Sequence, residues 1–254
     1  MRMSFFKAAA SALLIFLAQS IAVEAAELKV LSSGAIVSIM NELIPQFERD
    51  TGHKVAIRYD FGPVLKRQIE AGEFFDVAIV SFDIDDLVRQ GKLAAGTRVM
   101  IGRTGIGVGV RKGAPKPDIS TTEALKRTLL NAKSVAYSKE GSSGLYFLGL
   151  LDRLGISGDM KGKLHGTGGA DNPADAVAKG EAEMTVVGVA LILMIPGAEF
   201  VGWLPPELQN YVVFTAGMGA AAKEVEAGKA LLNFLTTPAS RAAFKARGIE
   251  PLGR

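Results

Sequence analysis

Strand-like and helix-like segments alternate from Glu27 onward, and this alternation constrains the fold more than any other feature. Glu27–Leu31 (ELKVL) has the length and content of a strand and runs into the turn residues Ser32-Ser33-Gly34. Ile36, Ile39, Met40, Leu43, Ile44 and Phe47 then recur on one helical face, ending before Gly52. Val55, Ile57 and Tyr59 alternate as in a second strand, and Asp60-Phe61-Gly62-Pro63 is a turn. Leu65–Ala71 reads as a helix stopped by Gly72, Phe75–Val80 as a buried strand, and Asp83–Gln90 as a helix stopped by Gly91. Strands and helices in strict succession, joined by short loops, are the pattern of a parallel, doubly wound sheet.

The pattern resumes further along. Strands are expected at Ile106–Arg111, Lys133–Tyr137, Ala182–Val189 and Tyr211–Thr215. Helices are expected at Thr121–Leu130, Leu145–Leu154, Ala174–Lys179, Lys223–Leu235 and Ser240–Ala246. The glycine-rich stretch from Ser157 to Asn172 reads as a loop. Two segments, Ile101–Val110 and Tyr211–Ala220, read as passes between two halves. The expected class is therefore α/β, with two doubly wound lobes joined by a two-strand hinge. Lobe one is expected over 27–104 plus 216–254, and lobe two over 105–215.

The chain opens with Arg2 and Lys7, then an apolar stretch from Ala8 to Val23, then the small residues Ala22, Ala25 and Ala26. That order is the one found in a secretory signal peptide, expected here over 1–26 and removed on export to the periplasm. The stretch is shorter than the ~20 apolar residues a spanning helix needs.

Composition excludes several kinds of chemistry. With 0 Cys there is no disulfide, thiolate metal site or cysteine nucleophile, and with 2 His no multi-histidine metal cluster. The net charge of +3 comes without a clustered Lys/Arg run, so no nucleic-acid footprint is expected. No G-x-S-x-G elbow, H-E-x-x-H helix or phosphate-binding loop is present. The reading is a binding protein rather than an enzyme, with no cofactor and no metal, working as a monomer.

Three stretches carry a family resemblance. They are the strand-SSG-helix start continuing into NELIPQFERDTGHKV, the segment LKRQIEAGEFFDVAIVS, and the tail GKALLNFLTTPASRAAFKARGIEP. Together they resemble the periplasmic solute-binding proteins of ABC transporters, closest to the molybdate-binding type. The resemblance implies a type 2 periplasmic binding fold whose lobes close on one small ligand. It also implies delivery of that ligand to a membrane permease. Proteins of the molybdate-binding type hold an oxyanion with hydroxyl groups and backbone N–H groups. Three positions here depart from that pattern: Ala35 stands in the first loop, Asp60-Phe61-Gly62-Pro63 replaces a serine-rich run, and Gly188 replaces a tyrosine.

In open α/β sheets, ligands sit beyond the carboxyl ends of the strands. Those ends carry Ser32, Ser33 and Gly34, then Asp60, Phe61 and Gly62, then Ser81, and finally Ser142 and Ser143. Helix starts following such loops present unpaired N–H groups and about half a positive charge, enough to hold an anion without Lys or Arg. Tyr146, on the first turn of its helix, and Asp171, before the next, complete the candidate set. The expected ligand is a small solute or oxyanion.

Overall fold

The computed structural model describes residues 25–168 and 171–252. Residues 1–24, most of the segment read as an export signal, lie outside the described residues. In chain order the elements are β1 (Glu27–Ser33), α1 (Val37–Thr51), β2 (Lys54–Asp60), α2 (Gly62–Glu70), β3 (Val77–Val80) and α3 (Asp85–Arg89). The long strand β4 (Val99–Arg111) follows. Next come α4 (Thr122–Asn131), β5 (Val135–Ser138), α5 (Ser142–Arg153), α6 (Ser157–Met160), β6 (Leu164–Thr167), α7 (Pro173–Lys179), β7 (Met184–Gly188), α8 (Val189–Leu193) and β8 (Ala198–Trp203). The chain closes with β9 (Tyr211–Met218), α9 (Val225–Phe234), α10 (Pro238–Ala246) and β10 (Glu250–Pro251).

The strands run in the order β2-β1-β3-β9-β4-β7-β5-β6, with β8 and β10 also paired to β4. Parallel pairing is confined to each half: β2-β1-β3 in one, β7-β5-β6 in the other. Between them β9 and β4 run antiparallel to their neighbours. Each half is thus parallel as expected, and antiparallel pairing enters with the strands β4 and β9 that pass between the halves. This is the two-lobe α/β architecture that the resemblance implies.

β4 links the halves directly. Its first part, Val99–Gly105, pairs with β9, and Ile106–Val110 pairs with β7. Tyr211–Thr215, expected in the second lobe, lie instead in β9, which pairs wholly with β3 and with the first part of β4. At the change of partner the Gln209 side chain mimics a strand. Its Oε1 accepts from Ile106 N at 2.8 Å and its Nε2 donates to Ile106 O at 3.0 Å.

Each half has its own apolar core. In the first, Phe47, Phe214 and Phe244 are fully buried among Leu28, Val30 and Leu231. In the second, Phe147 packs with Leu125, Leu129, Val135 and Leu150. Asp76, itself buried, joins three elements of the first half. Its Oδ2 accepts from Lys29 N at 2.9 Å, and its Oδ1 accepts from Lys223 N at 2.8 Å and Glu224 N at 3.2 Å, ahead of α9.

Three strands (β6, β8 and β10) and two helices (α6 and α8) were not expected. β6 lies inside the stretch read as a loop, and its half-buried His165 pairs opposite Ala136. β6 is a short edge strand, LHGT, too polar and glycine-rich to show a strand pattern. β8, with the half-exposed Trp203, extends β4's other partner set. α8 follows β7 without a loop, and α6 is a single turn.

Candidate functional site

The loops at the carboxyl ends of the parallel strands from both halves face one cavity of about 520 Å³. Nine of the expected residues line it: Ser33, Gly34, Asp60, Phe61, Gly62, Ser81, Ser142, Ser143 and Asp171. Two do not. Ser32 is fully buried, on the face of β1 that also carries Leu28 and Val30. Successive strand residues point to opposite faces, so Ser32 and Ser33 cannot both look into the cleft. Tyr146 is turned away. Its hydroxyl donates to Leu208 O at 2.8 Å and is also met by Arg153, whose guanidinium lies over the ring.

The way the helices begin defines the site's chemistry. Ser33 precedes a 3-10 turn at Gly34–Ile36, Phe61 precedes α2 and Gly141 precedes α5. None of these three starts has a side-chain cap. Ordinary capping is therefore not the role of Ser33. Elsewhere the same chain caps its helices with side chains: Thr121 accepts from Ala124 N, Asn172 from Ala174 N and Thr237 from Ser240 N. All three uncapped starts line the cleft, where free N–H groups and the positive ends of helices suit an anion. At α8 the hydroxyl of Thr104 accepts from Ala190 N at 3.3 Å.

Close packing sets the shape of these loops. A side chain on Gly62 would put its Cβ 2.6 Å from Ser81 Oγ and 3.5 Å from Ser142 Oγ. Gly62 thus lets the loop after β2 sit against loops from both halves. Ser142 Oγ donates to Ser81 O at 3.3 Å, closing one edge of the cleft. Gly144 is tighter still: a Cβ there would lie 1.8 Å from the carbonyl oxygen of Ser138. Only glycine lets the first turn of α5 rest on the end of β5.

Among the described residues lining the cavity, none is Lys, Arg or His, and the charged ones are Asp60 and Asp171. Asp60 serves its own turn, with Oδ1 accepting from Phe61 N at 2.8 Å and Oδ2 from Gln68 Nε2 at 3.4 Å. Hydroxyls come from Ser33, Ser81, Ser138, Ser142 and Ser143. Tyr59 also lines the cavity; burial pushes the pKa of its phenol up to about 12, and its hydroxyl donates to Asn41 Oδ1 at 3.3 Å. The remaining wall is apolar: Val37, Phe61, Leu191, Met194, Val212 and Phe214.

Sequence reasoning missed several of these. Tyr59 and Ser138 sit at the ends of β2 and β5, and the rule that picked out Ser81 would have found them. Asn172, at the end of the stretch read as a loop, caps α7 and also lines the cleft. Leu191 and Met194 carry no signal beyond belonging to an apolar run. Among the described residues no cluster of His, Cys, Asp or Glu could hold a metal ion.

Comparison with known proteins settles the family. The profile of the bacterial extracellular solute-binding proteins matches residues 28–250. The chain belongs to this family. It is 33% identical over 232 residues to an aconitate isomerase from a Pseudomonas species, covering 89% of this chain and 88% of that one. It is 29% identical over 241 residues to the molybdate-binding protein ModA of Azotobacter vinelandii, covering 89% and 91%. A solved structure of the A. vinelandii periplasmic molybdate-binding protein superposes with a TM-score of 0.74 at 21% identity, over 89% of this chain and all of that one. The likeness to the molybdate-binding proteins expected from the three quoted stretches is thus present, and so is a relative named for an enzymatic activity.

Proposed function

We propose that this solute-binding protein captures a small organic polycarboxylate between its two lobes and passes it to the permease of an ABC importer. The observation that carries the reading is the set of uncapped helix starts at Gly34, Gly62 and Ser142, all facing one cleft. Backbone N–H groups and serine hydroxyls bind carboxylate oxygens as they would any oxyanion.

The cleft's size and walls favour a carbon skeleton over molybdate. A cavity of about 520 Å³ is of the size that holds small organic molecules and far exceeds a tetrahedral oxyanion. Phe61, Leu191, Met194, Val212 and Phe214 offer contacts to methylenes and none to a bare oxyanion. Each oxygen stripped of water needs a partner, and the loop after β2 offers an acidic and an aromatic side chain where the molybdate-binding type has serines. Aconitate, named in the relative at 33% identity, is a polycarboxylate of this kind.

The mechanism is hinge closure. We place the crossings at Gly105 and Asn210, where β4 changes partner and β9 begins. Ligand touching both halves favours the closed arrangement by its differential affinity for it. The protein acts as a monomer in the periplasm after removal of residues 1–26.

A second reading follows from the isomerase relative: the cleft turns over an unsaturated carboxylate as well as holding it. Asp171 is then the base to test, since it is exposed and among the described residues no hydrogen bond engages its carboxylate, whereas Asp60 is occupied in its turn.

Thermal unfolding against a panel of molybdate, tungstate, sulfate, phosphate and mono-, di- and tricarboxylates tests the proposal. A ligand at 100 times its Kd stabilises by about 2.7 kcal/mol. For a chain of this size that is a shift of roughly 5–10 °C. Shifts with polycarboxylates alone are expected. A shift with molybdate and tungstate alone overturns the choice of ligand. Proton NMR of cis-aconitate incubated with the protein separates binding from turnover.

A further inference from the structure

We infer that a groove on the back of the hinge, walled by Trp203, sets how tightly the cleft holds its ligand, because it stabilises the open state. This rests on the hinge closure proposed above and not on which ligand is bound.

Strand alternation places the groove. Along β4 and β9, Thr104, Val212 and Phe214 line the cleft. Arg103, Gly105 and Tyr211 line a different cavity, of about 740 Å³. Successive strand residues point to opposite faces, and the register pairs Thr104 with Val212 and Gly105 with Tyr211. The two cavities therefore lie on opposite faces of the same two strands, where the chain crosses between the halves.

Both halves supply walls to the groove. Trp203, Leu204 and Pro206 come from the second half, where Trp203 pairs opposite Gly107 and Leu204 joins the core around Phe147. Tyr211, Ile249 and Pro251 come from the first. Each aromatic wall is braced within its own half. The Trp203 ring meets Phe200 edge-on, with centroids 5.2 Å apart. The Arg103 guanidinium lies 4.2 Å from the centre of the Tyr211 ring, and its Nε donates to Glu250 Oε2 at 2.8 Å. Gly105 seats the indole on the crossing itself: a Cβ there would lie 2.8 Å from Trp203 Cζ3.

The cleft is closed along one edge by the bond from Ser142 to Ser81, and the groove behind it is wide, leaving Trp203 47% and Tyr211 45% exposed. A hinge that opens the cleft narrows the groove and brings its two walls together. The apolar faces of both rings then leave water. That burial is gained only in the open state. A ligand that needs the closed state must overcome it, and its apparent affinity falls in proportion to the closed fraction.

Titration calorimetry of the mature protein with tricarballylate, and separately with molybdate, tests this, together with small-angle X-ray scattering. Trp203→Ala is expected to bind whichever probe the wild type binds roughly three- to tenfold more tightly. Tyr211→Ala, from the facing wall, should shift affinity the same way by less. Val225→Ala, which removes an exposed apolar side chain on α9, should change nothing. Damage to the fold would weaken binding, so tightening separates this role from a structural one. Without ligand, Trp203→Ala should have a smaller radius of gyration than the wild type, and this comparison decides alone where neither probe binds. Equal radii, or an affinity that is unchanged or weaker, overturn the role of the groove and leave the polycarboxylate reading intact. Wild-type protein that binds molybdate and not tricarballylate overturns the polycarboxylate reading and leaves this test in force. A wild-type radius that stays the same on saturation overturns hinge closure and this inference together.

Discussion

Two serine loops with similar letters behave differently in this molecule. Ser32-Ser33-Gly34 lies in the first half and Gly141-Ser142-Ser143-Gly144 in the second. In the first loop both serines still belong to β1, so they alternate: Ser33 faces the cleft, and Ser32 is buried with a hydroxyl that finds no partner. In the second loop the strand has already ended at Ser138, and the serines are the first two residues of α5. A helix start fans its side chains and N–H groups around one end, and both serines line the cleft. Polar residues near a ligand loop therefore count as ligand contacts only once their place on a strand or a helix is known.

The largest test of this difference is Gly144→Ala. The added carbon meets the Ser138 carbonyl inside normal contact distance, so α5 must lift from β5. A loss of about 3 kcal/mol is expected in denaturant unfolding, at the upper end for overpacking. A loss under about 1 kcal/mol, within the range of tolerated core swaps, would mean that α5 is not seated as described.

Next is Ser33→Ala combined with Ser143→Ala, one serine from each loop. Ligand affinity should fall by about 10- to 100-fold, as expected when hydrogen bonds to a charged group are removed. Unchanged affinity would remove both loops from the binding role.

Ser32→Ala sharpens the contrast from the other side. Deleting a buried hydroxyl without a partner should raise stability by about 1 kcal/mol and leave affinity alone. A loss of affinity would place Ser32 in the site after all.

The smallest effect concerns the phenol of the first half. Ultraviolet titration should show Tyr59 ionising near 12, isolated by subtracting the Tyr59→Phe spectrum. Because its pKa in the folded chain is raised, its contribution to stability is intact below the ordinary tyrosine value of 10 and declines as pH rises from 10 towards 12. Ionisation close to 10 would mean that Tyr59 is solvated rather than set in the wall of the cleft.

Much of the first half was legible in the sequence because its segments carry clean periods. α1, α2 and β1–β3 fall within a few residues of expectation, and Gly52 ends α1 in the left-handed conformation anticipated for a stop. The second half was less legible. β6 and β8 depend on pairing with β5 and β4, and neither carries a pattern of its own. The crossing was legible only in outline, since β4 reads as a glycine-rich stretch and its register is chosen by four different partners.

The sequence by itself determined the class of fold, the family and the loops that meet at the cleft. Those depend on local periodicity and on turn residues, which act over a few positions. Only the tertiary structure decided that Ser32 is hidden, that Tyr146 is tied to Leu208, and that Tyr59 and Ser138 reach the cavity. Each of these turns on which face a residue presents once strands have paired and helices have docked, and that choice is made by contacts distant in the chain.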